Sequence, residues 1–447
     1  MSPRDGLHEE SGATAGPNPS PWSAELMGFV ALLLLALASL SSKIAGTLWA
    51  LGFMAGAVLA WRRRPWPQPD AIDRAALLGL MCVSYALVCW LALAVMREEL
   101  IPPLSAEPNS GLRLVLGALA GLWLVRVAFR KPARLDQGIT SAVALAMLIA
   151  ALLSIVTPRE RLPSNAIAWA SSMGFLACVL IGAALDRQAA AWQRRLAGAG
   201  CFAALIAIGG SQVRGAYPVA LWLLGVVVWD AYRKHNRPLR MLVFGALGAC
   251  AFAGCLAVSW MHPADPLRMR EISTGLDRMR TEGDFNSQTG SRLYLFRLGW
   301  QTFTESPWIG VGAHERLRRI HSAGLDETPQ HARATVLVRE VGHVQNAFLH
   351  HAMDGGLVAL SGFMATLVGL VWAGRIMVAV SPSAALQFYG LAFVHACTNL
   401  TNVNFAHNYY ALMYTISVAL VLVCARVRAT RATPQRSDIR VVREASS

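Results

Sequence analysis

Three short stretches of the chain hold residue types that could bind a phosphate and move a proton. The first is Gly209-Gly210-Ser211-Gln212-Val213-Arg214-Gly215, a turn between two apolar runs. An arginine there can simply snorkel to water, but its glycine neighbours let a ligand or backbone approach closely. The second is Thr289-Gly290-Ser291-Arg292, followed by Trp300 and by Pro307-Trp308-Ile309-Gly310-Val311-Gly312. Arg297, five residues beyond Arg292, reads as a second basic contact or a solvated neighbour. The third runs Gly342-His343-Val344-Gln345-Asn346-Ala347-Phe348-Leu349-His350-His351 and ends at Gly355-Gly356-Leu357, at the mouth of an apolar run. If a helix has already begun there, His343 and Asn346 share one face and His350 lies on the same side. Guanidinium groups grip phosphate oxygens bidentately and stay charged. A histidine titrating near neutrality is suited to general-base work. Polar groups at the mouth of a span tend to be functional.

Other chemistries lack their residues. The sequence has no phosphate-binding Gly-rich loop, no H-E-x-x-H and no G-x-S-x-G. No D-x-D pair occurs in the outer loops, and no carboxylate is paired in sequence with the histidines, so neither a metal nor a cofactor is expected. Glu98-Glu99 reads as a solvated loop. The eight cysteines lie in or beside apolar runs, which suits small buried side chains better than disulfides.

The elements that must position these residues follow from composition. Of 447 residues, 55% are hydrophobic and only 15% charged, and mean hydropathy is +0.43. That excludes an ordinary soluble enzyme and a disordered chain and predicts an all-α, polytopic membrane protein. Twelve spans are expected, near 25–41, 45–61, 75–96, 112–129, 139–157, 166–185, 196–209, 216–231, 240–260, 347–374, 383–400 and 409–425. With the N-terminus inside, the short inner loops carry 14 basic residues and the short outer loops 6, so both termini are expected in the cytoplasm. This topology accounts for the net charge of +14 better than nucleic-acid binding does. The chain divides into a tail 1–24, spans one to nine over 25–260, a large outer loop 261–345, spans ten to twelve over 346–425, and a basic tail 426–447. The loop holds 11 arginines and 10 acids, and shows helical spacing over 265–280 and 291–305. A connection of that length is normally functional.

The ordered set of motifs resembles the O-antigen ligase and polymerase superfamily of bacterial envelope proteins. The likeness rests on Ser211 to Gly215, on Ser291-Arg292 with Trp300 and Pro307 to Gly312, and on His343-Val344-Gln345-Asn346 with Leu349 and Gly356-Leu357. It covers roughly residues 205–360. It implies a GT-C-like inner-membrane glycosyltransferase with a periplasmic active site, a glycan donor on undecaprenyl diphosphate, and for a ligase an acceptor hydroxyl on lipid A–core oligosaccharide. By the same resemblance Arg214 and Arg292 hold the diphosphate and His343 is the base, with Gln345, Asn346, Arg297 and Arg339 in support. One departure stands out: many members have histidine where this chain has Gln345, so either His343 supplies the base or the base is displaced or absent and Gln345 only orients the acceptor. A polymerase, a protein O-oligosaccharyltransferase and, from another class, a twelve-span transporter are the competing readings. Charge sparse at the bilayer midplanes, with polar residues gathered on one face, disfavours the transporter.

Overall fold

The computed structural model describes Gly46 and residues 69–100, 106–126, 132–235, 270–325 and 329–432. Among these residues the protein is all-helical, with 14 α-helices. In chain order they are α1 (Ala71–Met96), α2 (Ala106–Arg126), α3 (Pro132–Val156), α4 (Ala166–Leu185), α5 (Ala191–Gly210) and α6 (Pro218–His235). Five shorter helices follow: α7 (Arg270–Glu282), α8 (Gln288–Glu305), α9 (Ala313–His321), α10 (Pro329–Ala334) and α11 (Val336–Arg339). The chain then returns to the bundle as α12 (Ala347–Met377), α13 (Pro382–Asn399) and α14 (Asn408–Ala432).

Six of these, α1, α2, α3, α4, α12 and α14, are long and apolar enough to cross a membrane, so the protein is polytopic. The expected spans at 196–209, 216–231 and 383–400 are also helices, α5, α6 and α13, but are less apolar along their length. In α13 the reason is visible: Gln387, His395, Thr398 and Asn399 are all buried and bonded inside the bundle. The expected spans 25–41, 45–61 and 240–260 lie outside the described residues, Gly46 apart. Helices α4 and α14 are buried on nearly all sides and apolar all round, as helices in the middle of a bundle must be. Around them α12 packs along α1 through Gly355, Gly362 and Gly369, seven residues apart. A methyl at Gly362 would stand 3.2 Å from Ala86 Cα, so the two backbones approach as only small residues permit.

The helix α12 is broken at Gly356 (φ 58, ψ −150), and the break is filled by the Pro307–Gly312 segment. An unbroken helix would bond Leu357 N to Met353 O and Val358 N to Asp354 O. Here Leu357 N donates to Pro307 O (2.8 Å) and Val358 N to Trp308 O (3.2 Å), while Met353 O and Asp354 O accept from Val311 N and Gly312 N, both at 2.9 Å. These four backbone groups, freed by the kink, are thus satisfied by the inserted segment. A side chain at Gly356 would strike the Trp308 carbonyl, which fixes glycine there. Arg97, just past α1, donates to the carbonyls of Ile309, Gly310 and Asp354 and locks the insertion. Glu99 is buried and accepts from His314 N (2.9 Å) at the start of α9. The reading of Glu98-Glu99 as a solvated loop is therefore corrected for Glu99, whose carboxylate meets an unpaired N–H of a helix N-terminus.

Two clusters at opposite ends of the bundle concentrate its charge. At the end holding the α1 N-terminus, Arg126 pairs with Asp73 (3.2 Å), Arg426 with Asp70 and Asp73, and Arg428 with Asp136 and Asp186 (both 3.4 Å). The other end holds the α12 N-terminus and the loop helices. There a small second core of Leu295, Ile320, Val338, Val344 and Met353 joins α8, α9 and α11 to the top of α12.

Candidate active site

Residues 340–346 precede α12 and are not helical, so His343 and Asn346 do not share a helical face as the spacing suggested. Asn346 is instead the N-cap: its Oδ1 accepts from Leu349 N (3.1 Å). Its Nδ2 donates to Leu400 O (3.2 Å) in the turn between α13 and α14. One amide therefore starts α12 and ties it to the 400–407 turn. That turn is seated on a buried network in which His395 meets Thr366 (3.0 Å), Tyr410 (2.8 Å) and Asn399 (3.1 Å).

His343 and Arg292 meet through Gln345. Arg292, on the second turn of α8, donates from Nε to Gln345 Oε1 at 2.7 Å. The backbone N–H of Gln345 donates to His343 Nδ1 at 3.2 Å. Gln345 makes both contacts from a left-handed backbone, φ 53. Arg214 sits in a short 3-10 turn after α5 and pairs with Glu271 of α7 at 3.4 Å. Helix α7 packs on the start of α8, with Gly275 against Ser287 and Thr289. On its other side the Arg214 turn touches the 400–407 turn, because Gly215 packs on Thr401. Two short routes, one through α7 and α8 and one through Leu400 and Asn346, therefore connect Arg214 to the Arg292–Gln345–His343 group at the same end of the bundle.

The environment of His343 is basic and partly buried. Burial, then the Arg316 guanidinium and His407, push its pKa down to about 4, with Arg292 adding to the effect and Glu107 opposing it. Arg316 of α9 is itself buried, donating from Nε to Asp354 Oδ1 (2.7 Å) and from its terminal nitrogen to Gly342 O, next to His343. Behind His343 stands His350, with ring centres 6.5 Å apart. His350 Nε2 lies 2.6 Å from Glu107 Oε1 and 3.6 Å from Asp354 Oδ2. His351, the next residue, is stacked between Trp90 (5.1 Å) and Phe363 (4.9 Å).

Glu107, His350 and Asp354 bring ligand atoms within 4.8 Å of one another, the set among the described residues best able to hold a cation. Two ligands on one ion at about 2.0–2.2 Å each stand roughly 3 Å or more apart. The 2.6 Å separation of His350 and Glu107 is a hydrogen bond, and Arg316 occupies the other oxygen of Asp354. The cluster therefore reads as a proton-sharing ion network that supports the His343 loop through Arg316.

Of the supporting residues, Gln345 and Asn346 lie in the site. Arg297 points outward from α8. Arg339 is engaged with the carbonyls of Ala323 and Ala332 and with Thr335, and braces the loop helices. Sequence reasoning missed Arg316, Glu107, Asp354 and His407. Asp354 had a legible signal, four residues after His350 in a helix. Arg316 had none, being one of three arginines in Ala313–His321.

Residues 199–364 match the family model Wzy_C, O-antigen ligase. The match takes in Arg214, Arg292, Arg316, His343 and the α12 kink, and leaves out Glu107 and His407. No curated protein matches the chain. The chain is a multi-pass membrane protein in which residues 199–364 match the Wzy_C O-antigen ligase model, a family of ligase- and polymerase-type membrane glycosyltransferases.

Proposed function

We propose that this protein transfers a glycan (an O-antigen) from undecaprenyl diphosphate to a sugar hydroxyl of lipid A–core, on the periplasmic face of the bacterial inner membrane. The observation that carries the reading is the junction of Arg292, Gln345 and His343 at the same end of the bundle as the Arg214 turn, all within the matched domain. In the reaction the acceptor oxygen forms a bond to the anomeric carbon while the bond from that carbon to the diphosphate oxygen breaks. The bonding pair leaves with the diphosphate, and the hydroxyl proton passes to a ring nitrogen of His343. Attack from the side opposite the leaving group inverts the anomeric centre. Arg214 and Arg292 stabilise the growing charge on the diphosphate. One such contact at 4 Å is worth about 4 kcal/mol at an effective dielectric of 20, or roughly 10³-fold in rate if realised only in the transition state. The donor is already activated, so neither nucleotide nor metal is required by this route. His343 is neutral at neutral pH, as a base must be, and its pKa near 4 makes it a weaker proton acceptor than a histidine titrating near neutrality.

The test is reconstitution of the purified protein with an undecaprenyl-diphosphate glycan and lipid A–core, with and without chelator. Transfer that survives chelator is expected. Activity lost to chelator and restored by Mg²⁺ or Mn²⁺ would remove the arginine mechanism. Chain extension of the donor, or transfer to a protein, would instead assign the polymerase or the protein-glycosylating reaction.

A further inference from the structure

The contact between Gln345 and His343 conflicts with the role of His343 as a base. A neutral imidazole has one donor and one acceptor nitrogen. Nδ1 is the acceptor here, taking the Gln345 N–H at 3.2 Å, so the ring proton belongs on Nε2. In that form one nitrogen carries a proton and the lone pair of the other is covered. The ring can take the hydroxyl proton, at either nitrogen, only once the Gln345 amide has left Nδ1. The groups around the ring are Arg316 from α9, Arg292 from α8, Glu107 from α2, His350 from α12 and His407 from the turn before α14.

What holds the amide in place is the side chain of the same residue. Gln345 Oε1 is fastened to Arg292 Nε at 2.7 Å, and the residue keeps a left-handed backbone that a non-glycine residue adopts at a cost. Its partner, Arg292, is the proposed diphosphate ligand. A phosphate oxygen makes a charge-assisted bond to a guanidinium, about twice as strong as the neutral amide bond it replaces.

We infer that Gln345 is a positioning residue that couples the donor site to the base: a diphosphate bound to Arg292 displaces the Gln345 side chain, and the released backbone uncovers His343 Nδ1. His343 is then competent to take a proton only when a donor is in place. The inference rests on the diphosphate reading above.

The experiment uses the full-length protein in lipid nanodiscs, with ¹⁵N-labelled histidine and His343→Gln to assign the signal. Undecaprenyl diphosphate without glycan is the ligand. In the free protein His343 should carry its proton on Nε2 with Nδ1 hydrogen-bonded. Saturating ligand should abolish the Nδ1 hydrogen bond. Gln345→Gly, which suits the left-handed backbone, should bind the diphosphate about two- to tenfold more tightly, because Arg292 has no amide bond to give up. Its His343 signal should not respond to ligand. Gln345→Glu should hold Arg292 more firmly, weaken binding about tenfold and leave Nδ1 covered at ligand concentrations that release it in the natural protein. A merely structural role predicts weaker binding in both variants and overturns the coupling. Ligand that binds without moving the His343 signal overturns the coupling and leaves the diphosphate site standing. Ligand that does not bind at all overturns both.

Discussion

Both ends of the bundle bury arginines, and they differ in what those arginines hold. At the end of Asp70, Asp73, Asp136 and Asp186, each of Arg126, Arg426 and Arg428 meets at least one carboxylate. Asp136 is fully buried, and Gln193 and Thr140 share in its network. The Arg428 pairs are closed: separating them strands a charge in a poor solvent. At the other end Arg316 is closed on Asp354 in the same way, but Arg97 holds carbonyls, Arg292 holds a neutral amide through Nε, and Arg214 holds a glutamate that is 41% exposed. The partners of Arg292 and Arg214 can be exchanged for an anionic ligand at modest cost. Arginine count alone says little about function; the displaceability of the partner separates a clamp from a site.

The largest expected contrast is therefore between activity at one end and stability at the other. Arg292→Ala should lower glycan transfer about 10³-fold with little change in melting temperature, and Arg214→Ala should act in the same direction. Normal transfer by either well-expressed variant would erase the distinction between the ends. Arg428→Ala should do the reverse. Removing it leaves Asp136 and Asp186 without their shared cation, a loss of about 3–5 kcal/mol for breaking a buried pair. Thermal unfolding in detergent should drop clearly while turnover per folded molecule is retained. A stable, inactive Arg428→Ala would mean that the far end also serves the reaction.

Much of this contrast was legible in the sequence, and some was not. Composition and apolar runs placed the nine expected spans that fall on described residues, because bilayer burial acts on every residue of a span. The motifs placed Arg214, Arg292 and His343 at one end because arginine and histidine are costly there without a purpose. The partners were hidden. Glu107 reaches His350 across 243 positions, and Arg97 reaches the Ile309 and Gly310 carbonyls across more than 200, so no local pattern records either contact. The helical register assumed for His343 and Asn346 failed because Asn346 serves as a cap and ends the preceding loop. The repair of the α12 kink was half-visible, as Gly310, Gly312 and Gly356, but their pairing is a property of three dimensions.

The pH profile sharpens the comparison further. His343 has its pKa depressed to about 4, chiefly by burial and then by Arg316. The neutral, base-competent ring is lost only as pH falls through that value. The acid limb of kcat/KM should therefore lie near pH 4, where a solvated histidine would place it near 6.5. Arg316→Gln removes the charge and should move that limb upward; a limb that stays put would show that Arg316 acts on the loop without acting on the ring.

The smallest effect expected is at Asn346, and it separates holding a helix from holding a site. Its Oδ1 caps α12 and its Nδ2 grips Leu400 O. Asn346→Ala loses both contacts, about 1 kcal/mol for the cap and a similar amount for the second hydrogen bond. Asn346→Ser keeps a capping oxygen and loses the reach to Leu400. If the cap alone matters, serine restores both stability and transfer. If the tether from α12 to the 400–407 turn sets the distance from His343 to the Arg214 turn, serine recovers about half of the lost stability and leaves transfer as low as in alanine. The second outcome is expected, because Gly215 rests on Thr401 and moves with that turn.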